Sequence, residues 1–279
     1  MSTVSNFIPQ IWNAKVIREL ENNLVGKQIA NMNYDGEIKQ KGDTVFFNSL
    51  GDVTVNSYSG TVSYEELSDE QVAMVIDQAN YFAFNVQDID AAQANVDLKN
   101  SQAQRAAYEL ANKCDQHILG LYAEAANTVT DATCDSSTII SDISEAGVYL
   151  DEQNVPQQGR YLIISPWVRA KLELAGVVFS INDGIKSGTG GLAWADYLGF
   201  KIYVSNNLTN ASSRSSATEC LALSGDAIAF AQQIMNTEDV RRETSFATAV
   251  RGLHVFGAKV VQPKHMVRMS LTYAAETAV

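Results

Sequence analysis

The sequence has few cysteines and no extended apolar run. Its three cysteines, Cys114, Cys134 and Cys220, are far apart and form no C-x-x-C pair, so neither a disulfide framework nor a thiolate zinc site is expected. No stretch approaches the roughly 18–20 apolar residues that a membrane-spanning helix needs, and no membrane partner is predicted. The first residues lack the basic and apolar regions of a signal peptide. We therefore expect a chain that is made and kept in a cytoplasm.

Signatures of catalysis are also missing. The sequence contains no H-E-x-x-H, G-x-S-x-G or Walker motif, and its three histidines lie in apolar helical or strand-like runs. The run GTGGLA at 188–193 fits the dinucleotide pattern G-x-G-x-x-A, but Asn182, Asp183 and Gly184 interrupt the chain where a strand should precede it. We interpret this run as a loop. No enzyme activity, cofactor or metal site is predicted.

The charge of the chain is strongly negative and unevenly distributed. With 32 acidic and 20 basic side chains the net charge is −12, which disfavours sequence-specific nucleic-acid binding because such a surface repels phosphates. Residues 59–98 contain acids and no Lys or Arg, whereas basic residues dominate 241–268. The two segments are either separate solvated faces or surfaces that meet, within one chain or between copies. The candidate inter-subunit contact residues are Glu65, Glu66, Asp69, Glu70, Arg241, Arg242, Arg251 and Lys264.

Hydrophobic periodicity predicts the elements of the N-terminal half. An amphipathic helix follows Pro9. Apolar residues then alternate with polar ones over 45–55 and at even positions over 72–86, which predicts a long hairpin with an acidic tip. Because a two-stranded ribbon is marginal in water, its apolar face must be covered by another part of the chain or by another subunit. From residue 91 the period becomes helical and predicts one helix over about 91–126.

The C-terminal half mixes helices and strands. Four elements are predicted between residues 137 and 204: a helix within 137–153, a strand at 160–164, a helix capped by Ser165 with Pro166 in its first turn, and a strand after Gly199. The run 220–234 is interpreted as a strand, a turn and a short helix, and 246–273 as an antiparallel pair of strands. Together these elements predict an α+β fold with a long helix and a protruding hairpin.

Asp88-Ile89-Asp90 lies where the strand period gives way to the helical one. An Asp-x-Asp pair at a strand end holds a metal-bound sugar nucleotide in some glycosyltransferases, which are the remote alternative for function. Asp90 and Gln93, however, have the N-cap and N3 spacing of a capping box, and an aspartate suits the positive end of a helix dipole. We interpret Asp90 and Gln93 as a structural helix cap.

The order of these elements, and three stretches of sequence, resemble one family. The stretches are IPQIWNAKVIRELENNLV, YEELSDEQVAMVIDQANYFAFNVQDIDAAQANVDL and AAYELANKCDQHILGLY. The chain resembles the major capsid protein of tailed bacteriophages, with the Hong Kong 97-type fold that is shared with encapsulins. The resemblance implies an N-terminal arm at 1–35, an extended β-hairpin loop at 36–80, a peripheral domain with a long spine helix at 81–156 and 236–279, and an axial domain at 157–235.

The resemblance also implies a structural, non-enzymatic function. Copies of the chain would form hexamers and pentamers of an icosahedral shell that encloses double-stranded DNA without sequence-specific binding. The implied location is the virion, after assembly in the bacterial host cytoplasm, and the implied further partners are scaffolding, portal and decoration proteins. Because the arm-like helix begins by residue 9, a separate scaffolding protein or none is expected. An encapsulin-type compartment shell is the alternative within this fold.

Overall fold

The computed structural model of the chain describes residues 24–32, 44–50, 57, 69–87, 98–176, 195–241 and 247–275. Within them the helices are α1 (Gly26–Ile29), α2 (Leu98–Leu119), α3 (Ile139–Glu152) and α4 (Pro166–Leu174), with 3-10 helices at Gly120–Glu124 and Pro263–His265. The strands are β1 (Thr44–Leu50), β2 (Asp69–Val75), β3 (Gln78–Gln87), β4 (Asn127–Cys134), β5 (Arg160–Ile164), β6 (Ala195–Tyr197), β7 (Phe200–Val204), β8 (Thr218–Ser224), β9 (Ile228–Arg241), β10 (Ala247–Val260) and β11 (Met266–Tyr273). No helix in these stretches is long and apolar enough to cross a membrane.

The main core surrounds a six-stranded mixed sheet with the order β4-β11-β8-β5-β7-β6. β4 runs parallel to β11 and β5 parallel to β7, whereas β8 is antiparallel to both of its neighbours. Every residue of β8 is buried, as is the apolar run 162–164 in β5. Such continuous apolar runs are typical of strands that are covered on both faces. Ile143 and Leu150 of α3 and Val168 of α4 contribute to the same core.

The smaller sheet has the order β3-β10-β9 and is antiparallel throughout. It contacts α2, and Cys114 and Ile118 of that helix are buried in one cluster with Phe256 of β10. His254 is buried beside them, with its Nδ1 3.5 Å from the sulfur of Cys114. Burial lowers the pKa of His254, so this imidazole is held in its neutral form. The helix and this sheet are therefore joined by an apolar contact with one uncharged histidine in it.

β1 and β2 form the predicted hairpin, in antiparallel register with Thr44 opposite Val75. Its inner face contributes Val45 and Met74 to a second buried cluster, in which Val255 of β10 is also buried. The hairpin is thus confirmed for β1 and β2, and the apolar cover that it needs comes, at its base, from the same chain. The predicted second arm is wrong beyond Val75, because residues 78–87 form β3 and pair with β10 in the smaller sheet. The acidic tip of the hairpin lies outside the described residues.

A buried carboxylate fixes the segment that contains α1. Asp115 of α2 is 2% exposed. Its Oδ1 accepts hydrogen bonds from the backbone N–H groups of Val25 at 2.8 Å and Gly26 at 2.5 Å, and its Oδ2 accepts one from the Nδ2 of Asn207 at 2.7 Å. A buried carboxylate is tolerated when hydrogen-bond donors surround it. One side chain therefore ties α1 and the loop after β7 to the C-terminal part of α2.

The same N-terminal segment pairs with β9. The Asn31 N–H donates to the carbonyl oxygen of Ile228 at 2.8 Å, and the Phe230 N–H donates to the carbonyl oxygen of Asn31 at 3.0 Å. The Nζ of Lys27 donates to Oε1 of Gln232 at 2.7 Å. An edge strand presents unpaired backbone groups that attract other chains. The segment satisfies part of that edge, so β9 is protected near its start.

The prediction of a short helix within 220–234 is wrong, because the residues after the turn form β9. Ala229 and Ala231 belong to the hairpin cluster, whereas Ile228 and Phe230 belong to the main core. A strand that is buried on both faces needs small or apolar residues at every position. Its alanine-rich composition therefore looks helical even though the chain is extended.

The prediction that 246–273 is an antiparallel pair is also wrong. Both strands exist, but β10 lies between β3 and β9, and β11 lies between β4 and β8. The 3-10 helix at Pro263–His265 separates them and redirects the chain into the larger sheet. Alternation along a strand indicates extended structure and carries no information about which neighbour it pairs with.

The long helix was predicted to extend to about residue 126, but it ends earlier. α2 ends at Leu119, and Gly120 begins a 3-10 helix that leads into β4, a strand that the sequence analysis did not predict. Leu121 and Ala125 still pack on the core, which explains why the apolar stripe outlasts the helix. α4 begins at Pro166 as predicted, but Ser165 makes no side-chain cap hydrogen bond.

The boundaries of the four predicted domains stay a prediction. The six-stranded sheet takes β4 and β11 from the proposed peripheral domain and β5, β6, β7 and β8 from the proposed axial domain. Any boundary between two such units therefore crosses the sheet between β11 and β8.

Gly257 provides a test of how closely β10 approaches the hairpin. A Cβ at Gly257 would lie 2.8 Å from Cδ1 of Ile76 and 2.9 Å from the backbone oxygen of Val75. Because a backbone oxygen cannot rotate away, we expect Gly257→Ala to reduce the free energy of unfolding by about 1–3 kcal/mol, measured by denaturant titration of unassembled subunits. Gly120→Ala is the matched control, since a Cβ there meets nothing within 4 Å. Equal midpoints for the two variants would contradict the close approach.

Asp115 provides a second test. Asp115→Asn keeps the shape of the side chain but replaces one acceptor with an amide donor, which faces N–H groups. We expect a loss of about 1–3 kcal/mol in the free energy of unfolding, because a buried donor is left without a partner. Glu109→Gln, an exposed charge removal on the same helix, should change it by less than about 0.5 kcal/mol. If both variants unfold at the wild-type denaturant concentration, the carboxylate is not the anchor of α1.

Candidate functional site

The structure describes five of the predicted contact residues. Asp69 and Glu70 begin β2, Arg241 ends β9, Arg251 lies within β10, and Lys264 is in the 3-10 helix before β11. The side chains of Arg251 and Lys264 are exposed. The remaining candidates lie outside the described residues: Glu65, Glu66, Arg242, and the helix-cap pair Asp90 and Gln93. Contact between the acidic and the basic set therefore stays a prediction.

Among the described residues of the basic segment 241–268, Lys259 and Arg268 form ion pairs within the subunit. The Nζ of Lys259 lies 2.9 Å from Oε2 of Glu124. Arg268 donates to both oxygens of the buried carboxylate of Glu219, at 2.6 and 2.8 Å. Such a bidentate pair is among the stronger charged hydrogen bonds. Both acids lie outside the acidic segment 59–98, so these two cations are not available to meet it.

The outer face of the hairpin exposes apolar side chains. Phe46 is 57% exposed and Val75 is 51% exposed. Thr44 and Ala73 on the same face are also exposed. In the register of the two strands, Thr44 stands opposite Val75 and Phe46 opposite Ala73. We call these four residues the hairpin surface. A strand pair whose inner face is already in a core and whose outer face is apolar is suited to a second contact.

A second apolar surface lies on the smaller sheet. Tyr81 of β3 is 76% exposed and stands opposite Leu253 of β10, and Ala83 stands opposite Arg251. Along the strands this face is continuous with Ala79 and Val255, which pack in the hairpin cluster. The described part of the hairpin covers the face at these two residues. We call the uncovered part the sheet surface; its exposed residues are Tyr81, Ala83, Val240, Arg251 and Leu253.

A cluster of acids and a thiol lies where β4 ends and α3 begins. Asp131, Cys134 and Asp142 each offer one donor atom, and these three atoms lie within 4.8 Å of one another. Asp142 and Cys134 are buried, and Asp131 is half-buried. The carboxylate of Asp131 accepts hydrogen bonds from the Thr133 N–H at 2.8 Å and from Oγ1 of Thr138 at 2.8 Å. Within the described part of the chain, Oδ2 of Asp142 is buried without a hydrogen-bond partner.

The electrostatics of this cluster are unfavourable for negative charge. Burial, and then the neighbouring carboxylate of Asp131, raises the pKa of Asp142 to about 7. Burial also raises the pKa of the Cys134 thiol to about 12, and Asp142 and Asp131 add to the effect. Desolvation and like charge each disfavour the ionised form. The cluster thus holds protons at a pH where exposed carboxylates have lost theirs.

Sequence reasoning missed this cluster because it did not predict β4. The alternation of Thr128, Thr130 and Ala132 with Val129 and Asp131 is the signal that could have found the strand. The absence of a C-x-x-C pair gave no reason to place a cysteine beside carboxylates. Only the turn from β4 into α3 brings them together.

Comparison with known proteins assigns the fold to a family. A family model described as phage capsid protein matches residues 69–269. A solved structure from Mycobacterium phage Che8 is 27% identical, with a TM-score of 0.78, and the match covers 95% of this chain and 97% of that one. No curated protein sequence matches the chain.

Two more distant structures have the same fold. The capsid structure of the cyanophage P-SCSP1u is 14% identical with a TM-score of 0.75, covering 98% of this chain and 96% of that one. The mature capsid of bacteriophage PhiM1 is 12% identical with a TM-score of 0.70, covering 95% and 92%. The predicted resemblance is confirmed. This chain belongs to the phage capsid protein family: it has the Hong Kong 97-type fold and is a structural major capsid protein.

Proposed function

We propose that copies of this chain assemble, through the hairpin surface and the sheet surface, into the hexamers and pentamers of an icosahedral shell around the double-stranded DNA of a tailed phage. The observation that carries the proposal is the exposure of two different apolar strand faces, centred on Val75 and Tyr81, on a subunit whose cores are already closed. Exposed apolar strand faces mark sites of protein contact. The family match favours this shell over an encapsulin-type compartment.

The use of two different surfaces explains why rings form. When patch A of one copy binds patch B of the next, the contact is heterologous, and repeating it generates a closed ring if the rotation closes. A self-complementary patch gives dimers instead. The hairpin surface and the sheet surface lie on different elements of one subunit. A contact between the hairpin surface of one copy and the sheet surface of the next is therefore heterologous and can close into a ring.

Charge sets the register of this contact in our proposal. Arg251 lies within the sheet surface, two residues from Leu253, and stands opposite Ala83 of β3 and Glu238 of β9. The acidic tip of a neighbouring hairpin, with Glu65 and Glu66, supplies the opposite charge. Complementary charges speed association and exclude wrong pairings more than they strengthen the final contact. The apolar residues then provide most of the affinity.

The remaining parts of the proposal follow from a shell role. The chain acts without catalysis, and it encloses DNA without sequence-specific binding, in keeping with its net charge of −12. Scaffolding, portal and decoration proteins are its proposed partners besides further copies of itself. Assembly takes place in the bacterial host cytoplasm, and the four domains have the bounds that the sequence predicts.

The apolar contact is tested by Val75→Ser. Burying half of a valine stabilises a contact by about 1 kcal/mol, so losing it should raise the subunit concentration at which shells form by about fivefold. Sedimentation and electron microscopy of purified protein measure this concentration. Val148→Ser is the matched control, because Val148 is 49% exposed and lies on α3, outside both surfaces. Identical thresholds for the two variants would mean that the hairpin surface makes no contact.

The charged contact is tested by reversal and rescue. Arg251→Glu should slow assembly by about tenfold at low salt, since it places like charges at the contact. Adding Glu65→Lys and Glu66→Lys to the same chain should restore the rate, measured by light scattering after subunits are mixed. Arg169→Glu, an exposed reversal on α4, is the control. If Arg251→Glu assembles at the wild-type rate, the proposed charge pairing is wrong. If the rescue fails, Glu65 and Glu66 are not the partners of Arg251.

A further inference from the structure

The cluster formed by Asp131, Cys134 and Asp142 has no part in the proposed shell contacts. We propose that it binds a divalent transition-metal ion of the zinc type, with one oxygen from each aspartate and the thiolate of Cys134 as ligands. Such a site would join the end of β4 to the first turn of α3. It is independent of the two surfaces, so it stands or falls separately from the shell contacts.

The spacing of the donor atoms fits a small metal ion. In a tetrahedral zinc site, Zn–S and Zn–O distances of about 2.3 and 2.0 Å place neighbouring donor atoms about 3.5 Å apart. The three atoms lie within 4.8 Å of one another, so side-chain movement of the order of 1 Å brings them to a common ion. A fourth position remains for water.

Asp142 carries the strongest indication of a ligand. It is 9% exposed, and its Oδ2 is buried with no donor group beside it among the described residues. Its carboxyl group lies within hydrogen-bonding reach of that of Asp131, so the two share either a proton or a cation. A buried carboxylate oxygen that lacks a donor is costly unless a proton or a cation neutralises it. Asp131 shows the complementary feature of a ligand that is already positioned, because the Thr133 N–H and the hydroxyl of Thr138 both donate to its carboxylate. Such outer partners fix the orientation of metal ligands.

The surrounding charges also favour a cation. Asp135 and Glu145 add their charges to those of Asp131 and Asp142. Lys171 is the basic side chain whose charge reaches Cys134 and Asp135, and its Nζ donates to the backbone oxygen of Ala274 at 2.6 Å. A divalent ion would reduce the repulsion between the carboxylates of Asp131 and Asp142.

Binding releases protons in a balanced step. The Cys134 thiol loses its S–H proton to solvent as the sulfur–metal bond forms, and any proton held by the carboxyl pair leaves in the same way. A thiolate with two carboxylates suits Zn²⁺ or Co²⁺ better than Mg²⁺ or Ca²⁺, which prefer oxygen ligands alone. The half-buried side of Asp131 gives the ion its route from solvent.

The test is titration of the full chain with Co²⁺ and, separately, Zn²⁺. We expect a sulfur-to-cobalt charge-transfer absorption that saturates at one ion per chain, and a thermal unfolding temperature that rises with Zn²⁺ relative to EDTA. Cys134→Ser should lose the absorption and the shift in unfolding temperature. Cys114→Ser is the matched control, because Cys114 is another buried cysteine and should keep both.

Asp131→Asn separates ligation from folding, because this side chain is half-buried and its loss threatens the fold less. It should weaken Zn²⁺ binding by about tenfold or more, measured by calorimetry. The proposal is overturned if the wild-type chain shows no charge-transfer band, if Cys134→Ser retains it, or if Asp131→Asn binds Zn²⁺ as tightly as the wild type. Should Cys134→Ser not fold, the Asp131→Asn comparison alone decides.

Discussion

The position of the hairpin depends, through a chain of contacts, on one buried carboxylate. Asp115 holds the start of α1, and α1 sets the place where Asn31 pairs with β9. β9 and β10 in turn supply Ala231 and Val255, on which the base of the hairpin packs. A buried carboxylate needs hydrogen-bond donors around it, so the segments that donate to Asp115 must keep their positions. The position of the hairpin on the surface thus depends on Asp115, which is buried.

The subunit covers part of its strand surface with its own residues and leaves another part exposed. The first residues of β9, 228–231, have a core on each face, and this part of the strand also has a backbone partner in Asn31. The face of β3 and β10 is covered at Val255 and open at Tyr81 and Leu253. Adjacent apolar side chains on an exposed strand face are a feature of protein contact sites. Val255 and Leu253 are two residues apart and lie on the same face of β10, so the difference in their burial reflects where the hairpin cluster ends.

Sequence patterns predicted the elements well and their partners poorly. The even-numbered alternation from Val72 onward correctly indicated extended structure, because one face of β2 and β3 is more buried than the other. It wrongly merged the two into one hairpin arm, since β2 pairs with β1 and β3 pairs with β10. It failed at β9, where both faces are buried and no alternation remains. The cluster around Cys134 was beyond reach, since its members come from a strand end and a helix start that are adjacent only after folding. The family was predicted from the resemblance of whole stretches, because no single residue identifies it.

The place of β11 in the larger sheet has a consequence for the order of folding. β11 lies between β4 and β8, so the sheet is divided in two until residues 266–273 have left the ribosome. Contacts between segments so distant in sequence form late, because closing long loops costs entropy before the contacts can compensate for it. Synthesis that stops early therefore leaves β4 unpaired with the rest of the sheet. Such fragments lack the closed main core, although Ala231 and Val255, on which the base of the hairpin packs, are already present in them.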